Sequence, residues 1–81
     1  MTRPTRATVA GRVKNLEIRP MDHSCVLAIK IVDATGELTA LFYGRTQIAG
    51  VEPGTEIHLH GPVRSQDSGM VMINPAYELV R

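Results

Sequence analysis

Six side chains in this 81-residue chain have the chemistry to grip a polyanion. Arg12, Lys14, Lys30, Arg45 and Arg64 carry charges that can neutralise phosphates, and Tyr43 carries a ring that can stack on a base. The same residue types also arise when cations only keep a surface hydrated and a tyrosine packs against a loop. The two readings part on geometry: a binding site needs the cations and the ring on one face.

Other chemistries find less support in the residues. His58-x-His60 and His23-x-Cys25 each place two metal-ligand types on one face of a strand, but a zinc site needs about four convergent ligands, or three plus water. No metal and no cofactor are therefore expected. Asp22-His23-Ser24 has the residue types of a hydrolytic triad, yet consecutive residues cannot form the relay. No GxSxG, HExxH or GxxxxGK[ST] pattern occurs, so an enzyme is not expected.

The elements that must position these side chains read as five strands. The first covers residues 7–19, with Val9, Gly11, Val13, Leu16 and Ile18 facing inward. The jump from odd to even positions predicts a bulge near Lys14-Asn15, where a barrel strand has to curl. Residues 25–45 form a hairpin across Asp33-Ala34-Thr35-Gly36. Asp33 suits closure of the turn by its side chain, and Gly36 suits a left-handed backbone. Residues 45–49 predict a single helical turn. Val51-Glu52-Pro53-Gly54-Thr55 is a turn, and 56–63 is a fourth strand with Ile57, Leu59 and Gly61 inward. A polar hairpin loop over 65–69 leads to the fifth strand. That strand begins at 70–73, breaks at Asn74-Pro75, and resumes through 77–80. Asn74 is expected to bond its neighbouring backbone, and Tyr77 to close the barrel bottom.

Five short strands with one short helical turn between strands three and four fit an all-β, five-stranded Greek-key barrel of the oligonucleotide/oligosaccharide-binding (OB) type. The SH3-like barrel is the competing five-strand fold, and the long, bent first strand and the place of the helical turn favour the OB reading. Residues 1–6 read as a flexible N-terminal arm and 7–81 as the OB-fold domain. In the hairpin, Leu27, Ile29, Ile31, Leu38, Ala40 and Phe42 form the inner face. Arg12, Lys14, Lys30 and Tyr43 then point outward, with Arg45 just beyond and Arg64 at the mouth of the last loop. Val26, Val32 and Leu41 share that outer face. Apolar side chains there suggest an alternative function as a protein-protein or homodimer interface.

Bulk composition bounds these readings. An apolar share of 43% is ordinary for one small folded domain. Nine basic against eight acidic residues give a charge of +1, too balanced for tight salt-driven affinity. The basic residues cluster early: Arg3, Arg6, Arg12, Lys14 and Arg19 accompany a single acid, Glu17. A single cysteine, Cys25, suits a reducing compartment. No apolar run approaches the roughly 20 residues of a membrane helix, and no leader is visible. The expected location is the cytoplasm, with no membrane contact.

Several fixed positions resemble a known family. Asp33-x-Thr35-Gly36-x-Leu38, Phe42-Tyr43, Val51 with Pro53-Gly54 and Gly61, and Asn74-Pro75-x-Tyr77-Glu78 follow the order found in the OB wedge domain of RecG-type branch-migration helicases. The passage Gly44-Arg45 with Ile48 and Gly50 is similar to that of small stand-alone OB-fold nucleic-acid-binding proteins of actinobacteria. The resemblance spans residues 9–79. It implies an OB fold binding single-stranded or branched DNA, or RNA, and a role in DNA repair or recombination. Helicase or ATPase activity is not implied, because no motor accompanies the matching residues. Aromatic residues are scarce: no Trp, and only Phe42, Tyr43 and Tyr77. Stacking contributes about 1–3 kcal/mol per base, so the expected affinity is weak.

Overall fold

The computed structural model describes residues 5–66 and 69–80. Six strands form one sheet: β1 (Thr5–Pro20), β2 (Cys25–Asp33), β3 (Gly36–Tyr43), β4 (Glu56–Gln66), β5 (Gly69–Ile73) and β6 (Ala76–Leu79). Their order is β1-β2-β3-β5-β4-β6, and a further β1–β4 pairing closes the sheet into a ring. All pairings are antiparallel except β3 with β5. Among the described residues there is no helix, and so none long and apolar enough to cross a membrane.

Ring closure depends on β1 changing partners. Thr5 to Arg12 pair with β4, and Arg12 to Pro20 pair with β2. The expected bulge is present: the register slips between Val13 and Asn15, leaving Lys14 as the extra residue. Gly11 sits at this bend because nothing larger fits. A Cβ there would lie 2.5 Å from the Ile31 side chain and 2.8 Å from the Val32 carbonyl oxygen. The strand begins at Thr5, so Thr5 and Arg6 belong to the sheet; the rest of the expected arm, 1–4, lies outside the described residues.

The β2–β3 turn forms as its residues require. Asp33 Oδ1 accepts from the Thr35 N–H (2.8 Å), the Thr35 hydroxyl (2.7 Å) and the Gly36 N–H (3.0 Å). Gly36 adopts φ 142°, a region open chiefly to glycine. With the turn set, alternation carries Leu27, Ile29, Ile31, Ala40 and Phe42 into the core beside Val13, Ile48, Ile57, Leu59 and Met72. Leu38 is half-buried at its margin. Full burial of such a side chain contributes roughly 1.5–3 kcal/mol. A one-residue slip would turn each of them outward, so the register is strongly held.

Three expectations need correction. Residues 45–49 form no helical turn. Gly44 (φ 77°) and Gly50 (φ 82°) bracket a stretch too short to repay helix nucleation. The chain instead makes successive tight turns, Val51 N–H to Ile48 C=O (3.1 Å) and Thr55 N–H to Glu52 C=O (3.0 Å), which bury Ile48. The break expected at Asn74-Pro75 is present, but the ring has six strands rather than five, because Asn74 turns left-handed at φ 45° and the piece after it pairs separately with β4 as β6. Ile18, expected inside, is 54% exposed. Beyond Arg12, β1 has only β2 beside it, so this end of the strand outruns the core.

Tyr77, expected to close the barrel bottom, stays 39% exposed on β6. Its ring meets Phe42 edge-on, with centroids 5.9 Å apart. Pro75 is buried against Gly61, whose absent Cβ would lie 3.1 Å from the Pro75 Cα. The polar loop expected over 65–69 has its centre, 67–68, outside the described residues.

Candidate nucleic-acid interface

The outer face of the ring is laid out by strand register. One row crosses four strands as Lys30, Thr39, Val71 and Arg64, and the row beyond holds Ala28, Leu41 and Ile73. At neighbour spacings near 4.8 Å, Lys30 and Arg64 are about 14 Å apart along the sheet. Tyr43 ends β3 opposite Val26 and is 45% exposed.

Four of the six candidate residues fall into two groups. Arg12 and Lys14 line an open depression of about 580 Å³ at the β1 bend, with Gly11, Val32, Glu56 and His58. Tyr43 and Arg64 line a second depression, of about 500 Å³, with Pro62, Ile73 and Asn74. Glu37, beside the first group, and Tyr43, in the second, are six residues apart on β3, about 20 Å. Lys30 lies between the groups, in a smaller pocket with Arg19, Glu37 and Gln66. Arg45 is exposed past Gly44 and lines neither depression. Its carbonyl accepts from the Cys25 thiol at 3.4 Å, and the Gly44 N–H donates to the Cys25 carbonyl at 2.8 Å.

Electrostatics separates the groups further. Arg12 Nη2 is 3.0 Å from Glu56 Oε1, and Lys14 Nζ is 2.7 Å from Glu37 Oε1. The hydrogen bond from Lys14, then its charge, and then the charge of Lys30 hold the Glu37 carboxyl below its ordinary range. Arg19 reaches Glu17 at 3.5 Å. Arg64 and Arg45 have no carboxylate partner among the described residues.

The outer apolar residues do not form an open patch. Val26 and Leu41 are 6% and 9% exposed, packed with Ala28 and Val71 and flanked by Ile73. They make a small second core on the outer face. Val32 alone of the three is open, at 38%, and it belongs to the Arg12 depression. Neither histidine pair gains a third ligand: no group of three or more His, Cys, Asp or Glu suited to a metal occurs among the described residues. His60 Nδ1 instead lies 2.9 Å from the Thr8 hydroxyl.

Asn74 is the residue that sequence reasoning assigned to local structure and the geometry places in the site. Its N–H donates to the Leu41 carbonyl (2.7 Å), and its Oδ1 accepts from the Tyr43 N–H (2.9 Å). It therefore bonds across to β3 rather than to its own neighbours. The available signal was an Asn before Pro at a strand break, a place where a side chain often replaces a missing ladder partner. Compared with known proteins, the chain matches no family model and no curated protein.

Proposed function

We propose that the ring is an OB-type Greek-key barrel that binds single-stranded nucleic acid weakly and without catalysis. The strand order supports the fold assignment, since β1, β2, β3, β5 and β4 follow one another around the ring and close on β1. The observation that carries the function is the half-exposed Tyr43 ring sharing one depression with Arg64, a cation that no described carboxylate neutralises. A base stacks on Tyr43 while Arg64 and Lys30, in one row, take separate phosphates of the same strand, and Arg45 extends the cationic edge. Arg12 and Lys14 contribute less, because each already holds a carboxylate.

Two or three phosphate contacts and one ring give a micromolar-range affinity. Each contact steepens the slope of log affinity against log salt by about 0.7 for single strands, for a total slope of about −1.4 to −2.1. Fluorescence anisotropy with labelled single-stranded and forked DNA at two salt concentrations tests this. The expected result is binding that weakens as salt rises. A salt-insensitive signal, or none, overturns the reading.

A further inference from the structure

Asn74 lines the same depression as Tyr43 and Arg64, and its amide orientation is fixed. The Tyr43 N–H can only donate, so the Asn74 atom facing it is the carbonyl oxygen. The side chain is also held from behind. Its own N–H is tied to Leu41, its φ of 45° is one that asparagine tolerates, and the buried Pro75 follows it. The Nδ2 amino group is left with two N–H donors and no partner among the described residues. Arg64, across the depression, is donor-only as well. The Tyr43 hydroxyl can donate or accept and so does not discriminate. Apart from that hydroxyl, the polar side-chain atoms here that are not already engaged offer hydrogens and accept none.

We infer that Asn74 reads the base stacked on Tyr43, favouring keto bases (thymine, uracil, guanine) over amino bases (cytosine, adenine). A carbonyl oxygen on the base edge meets the Nδ2 donors. An exocyclic amino group in the same place sets donor against donor and leaves both unpaired. This rests on the nucleic-acid reading above and adds a preference that stacking and phosphate contacts do not supply, since both tolerate any base.

The cleanest comparison is short oligo-dU against short oligo-dC, two pyrimidines of similar size that differ at the carbonyl or amino group on C4. One net hydrogen bond corresponds to roughly a 2- to 12-fold preference for oligo-dU in anisotropy titrations. Asn74→Asp keeps an oxygen for the Tyr43 N–H and replaces the donors with an acceptor. Its added charge weakens both ligands alike, so the dU/dC ratio is the readout, and the ratio is expected to fall to one or below. Equal wild-type affinities, or an unchanged ratio in Asn74→Asp, overturn the inference while leaving nucleic-acid binding in place. Binding of neither oligomer overturns the underlying reading and this one with it. A second measurement needs no variant: the Asn74 side-chain NH₂ resonance of the native protein should shift with oligo-dU and not with oligo-dC. Equal shifts with both overturn it.

Discussion

Two depressions of similar size open on opposite ends of this ring, and their cations differ in one respect. At the β1 bend, Arg12 and Lys14 each lie within 3.0 Å of a carboxylate from another strand. At the far end of β3, Arg64 stands beside an exposed tyrosine with no described acid near enough to pair. The first arrangement is internally neutral, so a phosphate entering it must displace an existing partner. The second presents a charge that no described carboxylate compensates. A count of basic residues on a face therefore overstates the site, and the pairing of each one decides its contribution.

The largest effect expected from this contrast is at Tyr43. Tyr43→Ala removes the stacking platform and should weaken oligonucleotide binding by roughly 5- to 150-fold, the equivalent of 1–3 kcal/mol. Anisotropy titration reads it directly; an effect under twofold would break the comparison by removing what distinguishes the second depression. Gly11→Ala probes the other end. A methyl group there collides with the Ile31 side chain and the Val32 carbonyl, and should cost about 1–3 kcal/mol of stability. For a domain this small, the melting temperature falls by about 4–8 °C for each kcal/mol. The folded variant should keep its oligonucleotide affinity. Loss of binding without loss of stability would show that the β1 bend is part of the interface.

The hairpin and the fourth strand were legible because their signals are local. A period of two settles which side chains face in, and Asp33 with Gly36 settles the turn. The exposure of Ile18 was not, since alternation records a face and not where a strand outruns its neighbours. Nor was the loss of the helical turn over 45–49, where flanking glycines outweigh a short apolar spacing. For the site, residue types were readable and pairings were not. Lys14 meets an acid 23 residues away, Arg12 one 44 residues away, and Asn74 a backbone amide 31 residues away. Such contacts exist only once the ring has closed.

A smaller effect separates the two arginines. Arg64→Ala should flatten the salt dependence of binding by about 0.7 in log-log slope, as expected for one lost phosphate contact to a single strand. Arg12→Ala should leave the slope unchanged, because that guanidinium is held by Glu56. Titrations at several salt concentrations compare them directly. Equal flattening by both variants would mean that the Arg12–Glu56 pair opens readily and that pairing does not silence a cation here.

The smallest effect tests pairing itself. Glu37→Gln keeps the shape of the side chain but removes the charge that holds Lys14. If pairing is what keeps Lys14 from a ligand, the freed ammonium joins Lys30, which lies opposite the residue following it, and the salt slope steepens by up to about 0.7. An unchanged slope would mean that distance from Tyr43, not pairing, excludes the first depression. The same variant has a pH signature whose sign follows from the lowered carboxyl. Lys14 favours the ionised form, so the folded pKa lies below the unfolded one. The stability this contributes is complete above the unfolded value, about pH 4, and is lost as pH falls through the lower folded value. Asp33 acts in the same direction through its bonds from the Thr35 hydroxyl and N–H and the Gly36 N–H. Urea midpoints taken from neutral pH down through this range should therefore fall less steeply in Glu37→Gln than in the native chain. The part of the decline that survives in the variant belongs to carboxylates that stay native in it, Asp33 at the turn among them.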